Sequence, residues 1–258
     1  MTHFSNPLRR IWADGRTAVN GWLAVPSVLS AEAMAVAGWN ALTVDMQHGT
    51  ADYSDLLSLL PVIEKSGTTP LVRVPWVDEP AIMRALDAGA LGLIAPMIET
   101  VADAERFVSA CRYPPEGNRS FGPVRARLAW GPDYPSRANE EIVTLAMIET
   151  KSAVESLEEI LKVPGLTGVY IGPADLGSAF GFGPGFDRQE PEMLELIEHI
   201  RRTAAAANLV CCLHCGSASY ARGAAERGMN MVTISSDARF IEAGATETVS
   251  AFFGDNPR

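Results

Sequence analysis

Apolar runs of strand length alternate with helix-like segments from one end of this chain to the other, and that alternation constrains the fold more than any other feature. The runs occupy residues 17–23, 41–45, 71–74, 91–95, 143–149, 168–172, 209–214 and 231–235. Helical spacing or composition fills 31–38, 55–66, 81–89, 101–111, 152–161, 191–207, 218–228 and 238–253. Repeated βα units predict a parallel sheet, because parallel strands need helical crossovers. Stretches such as "LGLIAP" and "LTGVYIG" are apolar almost throughout, as strands covered on both faces must be. The chain's 258 residues match one α/β barrel, and no Gly/Ser tract divides them. The expectation is a single (β/α)8 TIM-barrel domain over residues 1–258. Residues 1–16 read as a short amphipathic helix that closes the bottom of the barrel.

A formal net charge of −10 argues against a nucleic-acid partner, because phosphate contacts need a basic face. No apolar run approaches the roughly 20 residues that span a bilayer, so no membrane partner is expected. The N-terminal residues lack the apolar core of a signal peptide. Three of the four cysteines, Cys211, Cys212 and Cys215, crowd into one short segment, a poor disulfide framework that suits a reducing cytoplasm. One connection is unusually long. Residues 112–141 are rich in Pro, Gly and Arg, which suits either an ordered lid over an anionic site or a surface insertion.

In such barrels catalytic groups project from the C-terminal ends of the strands. Those positions hold Asp45, Gln47 and His48 in "TVDMQHG", Arg73 in "LVRVPW", Glu149 in "MIET" and Asp175 in "GPADLG". The seventh and eighth strands end near His214, Cys215, Gly216, Ser235, Ser236 and Asp237. Glu149 and Asp175 follow consecutive strands, which lie about 4.8 Å apart. Neighbouring carboxylates repel unless a proton or cation lies between them, and a hard cation commonly takes one or two. Caps on adjacent helices are the alternative role. Asp45 and His48 have the composition of a carboxylate-oriented general base. Arg73 could stabilise an enolate oxygen or form a salt bridge with Asp45 or Glu149.

"CCLHC" matches no standard zinc spacing, and its cysteines read as small buried residues of strand seven. "GWLAVPS" and "GFGPG" form neither a dinucleotide nor a Walker loop. The three lysines, Lys65, Lys151 and Lys162, lie in helices or their flanks, so no Schiff-base lysine is expected in the barrel mouth.

The motifs "DMQHG", "LVRVPW", "AGALGLIAPMIET", "RYPPEGNRSFG", "AMIET" and "IGPADLG" occur in order over residues 21–236. In them the chain resembles the HpcH/HpaI aldolases, class II pyruvate-type enzymes of the phosphoenolpyruvate/pyruvate barrel superfamily that include 4-hydroxy-2-oxoheptanedioate and 2-dehydro-3-deoxyglucarate aldolases. The resemblance implies that Glu149 and Asp175 bind Mg²⁺ or Mn²⁺, with Co²⁺, Ni²⁺ or Zn²⁺ as alternatives. It implies that an oxo acid sits on Gly172, Pro173, Ala174 and Asp175, held by backbone N–H groups. His48, paired with Asp45, would move the proton, and Arg73 would hold the enolate oxygen. Gln47 stands where many members carry glutamate and would contact metal-bound water or substrate. "NRSFG" replaces the commoner "RG" pattern after "YPP", with Arg119 and Ser120 as its implied substrate contacts, and the segment around Leu213 would help choose the aldehyde. A hexamer of dimers that exchange their last helix is implied as well.

The implied reaction joins or cleaves pyruvate or hydroxypyruvate and an aldehyde through an enolate, the product being a 4-hydroxy-2-oxo acid. Two competitors remain: a CoA-thioester lyase of the citrate-lyase-like branch, and a non-catalytic barrel that binds a metal–oxo-acid complex.

Overall fold

The structure, a computed structural model, describes residues 4–254, so residues 1–3 and 255–258 of the expected domain lie outside it. Eight parallel strands close into one barrel in chain order: β1 Ala18–Leu23, β2 Ala41–Asp45, β3 Thr69–Arg73, β4 Gly92–Ala95, β5 Val143–Ile148, β6 Gly168–Ile171, β7 Val210–Cys215 and β8 Met231–Ile234. β8 returns to pair with β1, which leaves no open edge. The expected (β/α)8 barrel is the observed one. No helix of the described residues is long and apolar enough to cross a membrane.

Side chains alternate across each strand, and one set fills the barrel. Ala18 and Trp22 of β1, Ala41 of β2, Leu71 of β3, Val143, Leu145 and Met147 of β5, Tyr170 of β6 and Cys212 of β7 form that inner cluster. The opposite set, including Leu42, Val44, Val72, Ile148, Ile171 and Leu213, packs under the helices. Full burial of each large aliphatic side chain is worth about 1.5–3 kcal/mol.

The helix Pro7–Ala13 closes the bottom, as expected. Leu8 is fully buried in the inner cluster, and the Asn6 amide donates to the carbonyls of Leu91 and Glu141 at 2.8 and 3.0 Å. One helix departs from expectation, and the long connection takes the surface-insertion alternative. The helix over 152–161 divides into Lys151–Glu155 and Leu157–Ile160. The long connection is ordered and carries helices Val124–Trp130 and Tyr134–Glu141, yet it does not cover the mouth of its own barrel. It packs low on the side instead. Trp130 Nε1 donates to the carbonyl of Gly89, ahead of β4, and Tyr134 stacks against Phe4.

Candidate active site

The inward register carries polar groups to the top of the barrel. Asn20 and Trp22, Thr43 and Asp45, and Leu71 and Arg73 each step two residues along one strand. Met147 leads to Glu149 in the same way, Tyr170 to Gly172, and Cys212 to His214. Around them lies a cavity of about 240 Å³, lined by Asp45, His48, Arg73, Glu149, Gly172 to Asp175, Trp22, Phe186, His214 and Arg239 among others. A small oxo acid fits that volume, and no lysine lines it.

Asp45 and Arg73 face each other across the β2–β3 pairing, where their Cα atoms are partners. Arg73 Nε donates to Asp45 Oδ1 at 2.8 Å and Nη2 to Oδ2 at 2.6 Å, a two-pronged, nearly buried pair. Trp22 Nε1 donates to Oδ2 at 3.1 Å, and the Trp22 ring lies 4.8 Å from the guanidinium carbon. Burial pushes the Asp45 carboxyl up, but the hydrogen bonds and charge of Arg73 outweigh it and hold the group below the usual carboxylate range. Arg73 Nη1 has no hydrogen-bond partner among the described residues and remains for a ligand.

This corrects the expected Asp45–His48 pair. Asp45 Oδ1 accepts from the backbone N–H groups of Gln47 (3.0 Å) and His48 (3.3 Å), not from the His48 ring. The carboxylate builds the turn and spends its remaining capacity on Arg73, so it fixes where His48 sits rather than its tautomer. The His48 ring is exposed at the mouth and lines the cavity. Gln47 does not line the cavity, and its side-chain oxygen is buried without a hydrogen-bond partner.

Glu149 is 2% exposed, and Oε1 accepts from the N–H of Met97 at 2.9 Å. Met97 has φ 54, a left-handed conformation uncommon outside glycine, and this strained residue aims its N–H at the carboxylate. Burial pushes the Glu149 carboxyl up to about 7, and the charge of Asp175 adds to the rise. Neither acid has a salt bridge among the described residues. The helix-cap alternative is not realised, because Thr150 caps the helix after β5 and the helix Pro173–Ala179 has no side-chain cap bond. Asp237, a strand-end acid after β8, caps no helix either; it accepts from the N–H groups of Ala24 and Val25 and the hydroxyl of Ser30, which ties the end of β1 to the last helix.

A buried carboxylate without a basic partner, beside a second one, is the donor set of a hard cation, so Glu149 and Asp175 fit a divalent metal. The described residues hold no group of three or more His, Cys, Asp or Glu side chains suited to a metal. Water and substrate would therefore complete the shell. Gly172 to Asp175 line the same wall.

Besides Gln47, three expected substrate contacts fall elsewhere. Leu213 is fully buried in the outer cluster and its neighbour His214 lines the cavity, because side chains alternate along β7. Arg119 is buried away from the mouth, bonded to Asp87 at 2.6 Å and to the Tyr134 hydroxyl. Ser120 is exposed beside it. Conversely, Trp22, Phe186 and Arg239 line the cavity without having been singled out. Arg239 lies over Phe186 at 4.8 Å, and Phe186 lies 5.0 Å from the His214 ring. Only the inward parity of Trp22 could have been read beforehand. The cysteines are free and buried, as expected, and burial pushes the Cys211 thiol up to about 12.

The family described as HpcH/HpaI aldolase/citrate lyase matches residues 20–242. A hydroxypyruvate/pyruvate aldolase of Rhizorhabdus wittichii is 42% identical over 245 residues, 95% of this chain and 98% of that one. A 4-hydroxy-2-oxo-heptane-1,7-dioate aldolase of Salmonella dublin is 35% identical over 243 residues, 93% of this chain and 91% of that one. Among solved structures, an HpcH/HpaI aldolase/citrate lyase family protein of Burkholderia cenocepacia superposes with a TM-score of 0.88 at 28% identity, covering 96% of this chain and 99% of its own.

Proposed function

The chain belongs to the HpcH/HpaI aldolase/citrate lyase family, and on that premise we propose that it is a divalent-metal-dependent aldolase. It joins or cleaves pyruvate or hydroxypyruvate and an aldehyde, the product being a 4-hydroxy-2-oxo acid. The observation that carries this reading is the buried Glu149 beside Asp175, neither of them in a salt bridge among the described residues, in a lysine-free cavity that also presents Arg73.

Glu149 and Asp175 would hold Mg²⁺ or Mn²⁺, and the same donors accept Co²⁺, Ni²⁺ or Zn²⁺. When bound, the ion supplies Lewis-acid polarisation of the donor's carbonyl. The N–H groups of Ala174 and Asp175, in the first turn of their helix, hold the oxo acid's carboxylate against the wall formed by Gly172 and Pro173. His48 removes a proton from C3 of the donor. Arg73 Nη1 hydrogen-bonds the enolate oxygen, while Asp45 keeps the guanidinium in place. C3 then attacks the aldehyde carbon, and the proton taken from C3 is returned to the aldehyde oxygen, which completes the new hydroxyl. Cleavage reverses these steps.

We read the chain as a single-domain, cytoplasmic protein, which suits its free, buried thiols. We also read it as a hexamer whose last helix is exchanged within dimers. The helix Asp237–Phe253 supports that, since Phe240, Ile241, Val249 and Phe252 are exposed on it and need cover. Sedimentation analysis tests the assembly.

Pyruvate and hydroxypyruvate, offered with small aldehydes under varied metals, test the activity. The expected result is loss of turnover in chelator and recovery with Mg²⁺ or Mn²⁺. Full turnover in chelator, with a substrate adduct trapped by borohydride, would overturn the reading.

A further inference from the structure

The inner wall of the cavity rests on a chain of hydrogen bonds that the proposed reaction does not use. The His214 ring nitrogen Nδ1 lies 3.0 Å from the Tyr170 hydroxyl, and that hydroxyl lies 2.7 Å from Thr233 Oγ1. Thr233 in turn meets Asn20. The Asn20 amide is satisfied at both ends when its oxygen accepts from Thr233 at 2.9 Å and from Thr43 at 3.0 Å, with its nitrogen facing the carbonyls of Gly21 and Ala41.

Counting protons along this chain fixes the histidine. Thr233 gives its one proton to Asn20, so it accepts from Tyr170. Tyr170 gives its one proton to Thr233, so its oxygen must accept from His214. Nδ1 therefore carries the ring proton, and Nε2 is left with a lone pair. Nε2 has no hydrogen-bond partner among the described residues, and His214 lines the cavity. Trp22 stacks edge-on at 4.9 Å and Phe186 packs at 5.0 Å, so apolar faces flank the ring. Burial, followed by the charge of Arg73, pushes the imidazolium down to about 3, so the ring is neutral at ordinary pH.

We infer that His214 is a specificity-determining residue that reads a hydroxyl group on the substrate, using Nε2 as a fixed, uncharged acceptor. The inference rests on the aldolase reading and deepens it. A neutral acceptor with apolar flanks favours a ligand O–H over a C–H at the same place. A site built to bond a hydroxyl discriminates against the analogue that lacks it, because the acceptor is then desolvated without a partner. Two substrate parts can bring that hydroxyl: the C3 hydroxyl of hydroxypyruvate, or the 2-hydroxyl of an aldehyde such as glycolaldehyde.

The test compares kcat/KM ratios in the metal-loaded enzyme. One arm sets hydroxypyruvate against pyruvate with acetaldehyde. The other sets glycolaldehyde against acetaldehyde with pyruvate. Titration calorimetry of hydroxypyruvate and pyruvate adds a readout independent of turnover. In His214→Phe the hydroxyl preference falls about tenfold or more in one arm, which identifies the source of the hydroxyl. His214→Gln, whose carbonyl oxygen can accept, keeps part of the preference. Should His214→Phe not fold, Tyr170→Phe carries the test, because it frees the tautomer at nearly constant volume and lowers the preference several-fold. Ratios within twofold of wild type in both arms, in folded variants, overturn the inference. Wild-type protein that turns over none of the pairs sinks the aldolase reading instead.

Discussion

A Cβ added to Gly172 would stand 2.3 Å from Oε2 of Glu149 and 3.3 Å from its Cβ. The backbone there, φ −94 and ψ 90, is open to any residue, so what demands glycine is the closeness of the carboxylate. Gly172→Ala should fold and yet displace Glu149. Overpacking of this kind costs about 1–3 kcal/mol, and the glutamate absorbs it by leaving its bond to the Met97 N–H. Metal affinity, measured by calorimetry, should fall roughly tenfold to a hundredfold, with turnover falling alongside. Wild-type affinity in Gly172→Ala would show that Glu149 is not the metal's carboxylate.

On the proposed reading Arg73 serves fold and chemistry together. Lysine keeps the charge but cannot reach both oxygens of Asp45 while pointing a third nitrogen into the cavity. Arg73→Lys should lower kcat/KM by about 10²–10³, the usual scale of a lost charge contact in the transition state. It should also lower the melting temperature, because Asp45 loses half of a nearly buried pair. Asp45→Asn should be the less stable of the two. It breaks the pair and strips the Trp22 indole of a charged acceptor, and losing one partner of a buried pair costs about 3–5 kcal/mol.

Stability without metal should depend on pH through Glu149. Its folded-state carboxyl is raised to about 7 from an ordinary value of 4.5. Between those values the folded protein binds more protons than the unfolded chain, so stability falls as pH rises. The contribution is fully present below pH 4.5 and is lost as pH passes through about 7. At ~1.4 kcal/mol per unit this amounts to a few kcal/mol. Melting in chelator should show the decline, Glu149→Gln should flatten it, and Mg²⁺ should reverse it by favouring the ionised carboxylate. A decline of the same size in Glu149→Gln would assign the dependence to another group.

How far the sequence could be read follows from what each feature depends on. The barrel depends on local apolar runs and their spacing, which are visible in one dimension. Asp45, Arg73, Glu149 and Asp175 were visible too, since a polar residue at the end of an apolar strand is costly without a purpose. Which partner Asp45 chooses was not, because the choice of Arg73 over the His48 ring depends on β2–β3 register. The exchange of Leu213 for His214 is a parity error of one residue. Apart from His214 both faces of β7 are apolar, so "CCLHC" carries too little alternation to show which residues face inward. Met97 was invisible for another reason. Its contribution is a backbone N–H turned by a positive φ, and no side-chain pattern records that. Arg119 looked like a lid residue by composition, yet Asp87, Tyr113 and Tyr134 hold it at the side of the barrel.

His48 should separate proton transfer from metal binding. It leaves β2 in a turn that Asp45 fixes through backbone N–H groups, whereas Glu149 and Asp175 follow β5 and β6 across the mouth. Removing the imidazole therefore leaves the two carboxylates and the Met97 N–H undisturbed. His48→Ala should bind Mn²⁺ and pyruvate with near wild-type affinity. Exchange of the C3 protons of pyruvate in D₂O, followed by NMR, should fall by about 10²–10⁴, the usual cost of losing a general base. Glu149→Ala should abolish both binding and exchange, because the enolate loses its electron sink. The exposed ring adds a further expectation: small imidazoles added to His48→Ala should restore part of the exchange, since the mouth is open where the side chain stood. Exchange at the wild-type rate in His48→Ala would place the base elsewhere on the cavity wall.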